Sequence, residues 1–201
     1  MRAAEAASTA LTRRQRVALA AGADLDTETL INAREDSFTL EFLLQNQCTS
    51  ALLKAASIGP TQLKAMGATS PEHLRALGYD TLDLLEPAFC GACVCSYGAS
   101  ALLAEFLVTS DDAVVLAGSS AMRQLGVDVG TLLVFCAGNA DAAYEVLRQV
   151  SPRGTALTGV APETIQDTGL GAKRLLELGF TAASVQTQTL ASTLQLIDLG
   201  F

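Results

Sequence analysis

Apolar and polar positions alternate along this chain in short blocks, and glycine closes many of the blocks. In Leu74-Arg75-Ala76-Leu77-Gly78-Tyr79-Asp80 the glycine stands where a helix ends in a left-handed residue, a conformation that only glycine adopts without steric cost. Tyr79 then follows the cap, and its apolar partner four residues before the glycine is Leu74. The arrangement recurs at Gly126 with Met122 and Val127, at Gly179 with Leu175 and Phe180, and at Gly200 with Leu196 and Phe201. Asp80, Asp128 and Thr181 follow three of these caps, and each can accept hydrogen bonds from the free N–H groups of the next helix. The pattern predicts short helices, each stopped by a glycine and restarted at once.

Longer pieces align as well. Pro60 to Gly67 and Pro162 to Gly169 are both steps of seven residues, and proline inside the start with glycine past the end is the expected asymmetry of a helix. Thr39-Leu40-Glu41 with Cys48 matches Thr81-Leu82-Asp83 with Cys90 at an offset of 42, and Leu84-Leu85 matches Leu132-Leu133 at an offset of 48. Residues 37–57 read as one core helix with Leu40, Leu43, Leu44 and Gln47 on a face that Ala51 continues. Pro87 must restart the chain after Glu86. Phe89–Val108 follows as one small-residue helical segment, Ser110-Asp111-Asp112 caps the next run, and Asn139-Ala140-Asp141 caps a helix striped by Ala143, Val146, Leu147 and Val150.

The expected fold is therefore all-α, with short-helix repeats stacked as a small solenoid-like or irregular helical domain. An α/β alternative places short buried strands near 113–117 and 131–136, since Val114-Val115-Leu116-Ala117-Gly118 and the run from Thr131 to Gly138 have the length and composition of buried strands. In that alternative Gly118-Ser119-Ser120 would meet anions at a helix start. In its period and helix-stop-helix pattern the chain resembles HEAT and armadillo α-solenoids over roughly residues 38–201. The resemblance is generic and carries over no functional residue.

Residues 1–36 read as an amino-terminal helical arm and 37–201 as the repeat domain. The arm holds Arg13, Arg14 and Arg16 and one acidic residue, Glu5, before Gly22, which has the flavour of an organelle transit peptide; an ordinary amphipathic first helix is the other reading. The chain stops at Phe201 without a polar capping unit, so either a partner covers that end or the polypeptide continues.

Composition narrows the function. Charged residues make up 17 % and apolar ones 50 %, with mean hydropathy +0.34, so the surface is under-charged and suits a protein that lives against partners. A net charge of −8 repels a phosphate backbone, which excludes nucleic acid as the expected partner. The uncharged windows at 87–104 and 178–197 are broken by Pro, Gly and polar residues, so neither is a clean membrane span.

Concentrated chemistry occurs once, at Cys90, Cys93 and Cys95. A C-x-x-C pair can hold zinc or an iron–sulfur cluster or cycle as a dithiol, but a fourth ligand would have to come from Cys48, Cys136 or His73, none at a second C-x-x-C spacing. Free cysteine also packs as a small hydrophobe. His73, the single histidine, sits three residues after Ser70 at a helix start, and the acidic pairs Glu35-Asp36 and Asp111-Asp112 read as caps. No nucleophile elbow, P-loop or zinc-helix spacing occurs.

The expectation is a non-enzymatic structural or accessory subunit that makes protein–protein contacts in a larger assembly, in a reducing intracellular compartment or an organelle, with a place on the periphery of a membrane complex left open. No catalytic, cofactor or metal residue is assigned. A thiol-redox or metal module centred on Cys90, Cys93 and Cys95 is the alternative, and a carrier of an apolar ligand or pigment is a second one.

Overall fold

The computed structural model describes residues 39–45, 47–55, 57–151 and 156–201; the amino-terminal arm, with Arg13, Arg14, Arg16 and Gly22, lies outside them. The described residues are helical throughout, with no strand among them. Ala113–Leu116 and Thr131–Phe135, the stretches of the α/β alternative, both fall inside helices. Their apolar runs are only partly buried: Ala113, Leu116, Leu132 and Leu133 face the core, whereas Val134 is exposed. Ser119 correspondingly caps a five-residue helix.

Fourteen α-helices follow one another: α1 (Leu40–Gln45), α2 (Ser50–Ala55), α3 (Pro60–Ala65), α4 (Pro71–Ala76), α5 (Pro87–Tyr97), α6 (Ala99–Phe106), α7 (Ser110–Leu116), α8 (Ser120–Gln124), α9 (Val129–Phe135), α10 (Ala140–Val150), α11 (Pro162–Asp167), α12 (Ala172–Glu177), α13 (Ala182–Thr189) and α14 (Thr193–Asp198), with a 3₁₀ turn at Asp83–Leu85. Most are six to eight residues long, too short to persist alone, so packing must hold them.

The glycine caps form as the sequence predicts. The N–H of Tyr79 donates to the carbonyl of Leu74 at 3.0 Å, Val127 to Met122 at 2.9 Å, Phe180 to Leu175 at 2.9 Å and Phe201 to Leu196 at 3.0 Å. The glycines between have φ of 81°, 68°, 88° and 89°. The same 6→1 bond also joins Cys48 to Leu43, Ile58 to Leu53 and Ala68 to Leu63. Two of those caps carry no glycine: Gln47 at φ 52° and Ser57 at φ 58° take the left-handed position. For that reason residues 37–57 are not one helix but two, α1 and α2, broken at Gln47.

Most caps bury one residue inside the helix and one just after it, although Met122 before Gly126 and Phe201 after Gly200 are half-buried. The result is a buried side chain every fifth residue: Leu43, Cys48, Leu53, Ile58, Leu63 and Ala68, and again Val160, Ile165, Leu170, Leu175, Phe180 and Val185. A leucine buried in this way contributes roughly 1.5–3 kcal/mol. The cores of all units merge into one cluster.

Bonds between units show how the chain winds. The Ser50 hydroxyl donates to the carbonyl of Gly78, Arg75 to that of Glu105, Asn139 to the Ser110 hydroxyl and Arg174 to Asp141, pairs that lie 28, 30, 29 and 33 residues apart. Helices pack in the same register: α3 on α5, α5 on α8, α4 on α6, α7 on α10 and α9 on α11. One turn of the winding therefore takes about thirty residues and three helical units. The offsets of 42 and 48 correspond to no contact of this kind; they arose because units about ten residues long resemble one another at many multiples.

Three further local expectations change. Phe89–Val108 is broken at Gly98, where α5 and α6 meet at 112°. Among the described residues no single helix is long and apolar enough to cross a membrane. Thr109, not Ser110, caps α7, its hydroxyl accepting from the N–H of Asp112 while the Asp112 carboxylate accepts from the N–H of Thr109. Asp80 opens only a 3₁₀ turn, exchanging hydrogen bonds with Asp83, because Pro87 leaves too few residues for an α-helix.

Candidate functional site

The cysteine stretch lies on α5, whose proline start at Pro87 and glycine stop at Gly98 fix its eleven residues. Cys90 and Cys93, three positions apart on one face of the helix, are fully buried; Cys95 points outward. Burial pushes the thiol of Cys93 up to about 12, with smaller contributions from Cys90 and Asp83, and raises Cys90 as well. Cys136 is pushed up by burial to about 11, and Cys48 rises for the same reason. A thiol that far above neutrality holds almost no thiolate, the form that attacks disulfides and binds metal. All five cysteines are free, and no group of three or more His, Cys, Asp or Glu among the described residues could hold a metal ion. Cys48 and Cys136, the candidate fourth ligands, are buried elsewhere in the core. His73 sits in a helix cap, where Nδ1 accepts from the N–H of Ser70 at 3.3 Å and lies 3.2 Å from the Ser70 hydroxyl.

Around α5 the core turns aromatic. Tyr79 stacks on Phe89 with centroids 5.1 Å apart, and the ammonium of Lys54 lies 5.8 Å from both rings while it pairs with Asp83. Lys64 lies over Tyr97 and donates to the carbonyl of Ser96; the Arg75 guanidinium sits 5.1 Å from the Phe106 ring and donates to Glu105 O at 3.0 Å. Each of these cations follows the core leucine of its own unit, and each reaches into the next turn of the winding. They act as ties between turns, holding a charge over an aromatic face and against an oxygen at once. The Tyr79 hydroxyl, buried with its ring, has no hydrogen-bond partner. An open groove of about 320 Å³ runs beside this region, with Ile58, Pro60, Ala88, Phe89 and Ala92 on its walls and Lys54 and Glu86 at its rim. Its lining is mixed, with Lys54, Ser57 and Glu86 beside the apolar residues, and its one cation is already paired with Asp83.

The surface carries the second candidate. Among the described residues Leu44, Leu82, Val108, Val134, Leu176, Leu190, Leu194 and Ile197 are large, apolar and exposed. Half of them lie in the last thirty residues. Leu190 is 87 % exposed and stands in the left-handed conformation, φ 59°, at a cap that glycine fills in most other units. Leu194 is 73 % exposed at the second position of α14, where the corresponding residues of α1, α4 and α11 are Glu41, Glu72 and Glu163, all exposed. Sequence reading passed over both, although each departs from the repeat at a position where the repeat is plain. No protein-family model, curated protein or solved structure matches this chain.

Proposed function

We propose that this protein is a non-enzymatic accessory subunit, a short solenoid-like stack of helical units whose surface docks other proteins of an assembly. The observation that carries the reading is the set of large apolar side chains exposed on a chain that is otherwise acidic and sparsely charged, four of them within residues 176–197. A surface rich in large apolar side chains favours contact with other proteins. Four of the five thiols are buried and raised by that burial, which weighs against the thiol or metal reading centred on Cys90, Cys93 and Cys95.

The test is native isolation of the tagged chain from the cells that make it, followed by mass measurement of the intact complex. A second polypeptide at fixed stoichiometry is the expected result. Recovery of the chain only as itself, free or paired with its own copies, would sink the accessory role.

A further inference from the structure

We propose that the amino-terminal arm folds back onto its own repeat domain and seats residues 11–19 in the groove between residues 57–60 and α5. The groove, of about 320 Å³, offers Ile58, Pro60, Ala88, Phe89 and Ala92 as apolar surface and Glu86 as a carboxylate. Its one cation, Lys54, is occupied by Asp83, so the charge left over is negative. The surroundings agree, since residues 80–112 hold six acidic side chains and no lysine, arginine or histidine. Among the described residues cations reach only two of those six, Asp83 and Glu105.

The occupant is written in the same chain. Leu11-Thr12-Arg13-Arg14-Gln15-Arg16-Val17-Ala18-Leu19 has three arginines, three large apolar side chains and no acid. Leucine and valine suit the apolar walls, and the guanidinium of an arginine forks onto an unpaired carboxylate. Residues 24–36 carry five acidic side chains and one arginine, so the acidic face repels them and they serve as the connection. That connection is long enough. The described residues start at Thr39, beside Leu40, whose N–H donates to the carbonyl of Met66, at the opposite end of α3 from Pro60. The six residues of α3, about 9 Å of helix, separate this point from the groove, whereas residues 20–38 can span about 60 Å. The tether holds the arm at an effective concentration on the order of a millimolar, so a weak contact suffices.

This docking concerns one chain by itself, so its failure leaves the accessory reading standing and that reading's failure leaves the docking intact. Hydrogen–deuterium exchange of the full chain, read by mass spectrometry, tests it. Residues 11–19 should exchange at least tenfold slower than the same sequence as a free peptide, at every protein concentration, and the protection should shrink in high sodium chloride as the charges are screened. Glu86→Lys should reduce the protection at least threefold. Ala88→Trp, which fills the groove from the exposed second position of α5, should abolish it, with the helical circular dichroism of both variants unchanged. Arg13→Glu with Arg14→Glu and Arg16→Glu should abolish it from the other side without touching the repeat domain. Residues 11–19 exchanging as fast as the free peptide, protection that survives either groove variant, or protection that appears only as the protein is concentrated, the mark of a second copy's groove, would each overturn the proposal.

Discussion

At the scale of single residues, backbone conformation decides more than side-chain chemistry. Gly126 has φ 68°, and a Cβ built there would meet nothing within 4 Å, so Gly126→Ala tests strain with no clash. It should lower stability by about 1 kcal/mol in urea unfolding, and an unchanged midpoint would mean the cap contributes nothing. Tyr79 offers the opposite sign. Its buried hydroxyl has no partner, and leaving such a group unsatisfied costs about 1–3 kcal/mol, so Tyr79→Phe should stabilise the protein in the same measurement with its stacking on Phe89 kept. Asp128 caps α9, its carboxylate accepting from the N–H and the hydroxyl of Thr131, and these bonds hold it below its ordinary value of 3.8. A depressed carboxylate contributes its full stabilisation above that ordinary value and loses it as pH falls through the folded one. Asp128→Asn should therefore flatten the acid side of the stability curve below about pH 4, as followed by thermal melts at successive pH values.

At the scale of elements, the unit is one short helix, its cap and the next N-cap, with the core side chains five residues apart. Leu53 is such a core residue, and Leu53→Ala should cost about 2–5 kcal/mol, measured by denaturant titration. Much of this unit was legible in the sequence because it is written locally: the bonds at Gly78, Gly126, Gly179 and Gly200 depend only on residues within six positions of each other. The caps at Gln47 and Ser57 were not legible, because neither residue advertises a left-handed conformation that packing imposes. The break at Gly98 was missed for a related reason. A glycine between two apolar stretches can continue a helix or turn it, and the contacts of α6 with α4 select the turn.

For the whole molecule, the winding leaves four of the five thiols inside, so a native protein exposed to a thiol reagent at neutral pH should react at Cys95 alone, and all five should react once it is denatured. Rapid modification of two or more in the folded state would show that α5 opens. The thirty-residue turn was the part the sequence concealed: similar units follow one another about every ten residues, so alignment at 42 or 48 is as easy as at 30. The bonds from Lys54, Lys64 and Arg75 across to the next turn select among these multiples. The candidate surface divides in the same manner, since Leu190 and Leu194 stand in the repeat for anyone comparing units, but their exposure appears only when the units are stacked. What the sequence alone determined is the helical character and the stops at Gly78, Gly126, Gly179 and Gly200, because those are steric and hydrogen-bonding choices made within a few residues. How many units complete a turn, and which side chains face a neighbour or the solvent, depended on tertiary structure, because contacts thirty residues apart are set by the summed packing of all the units.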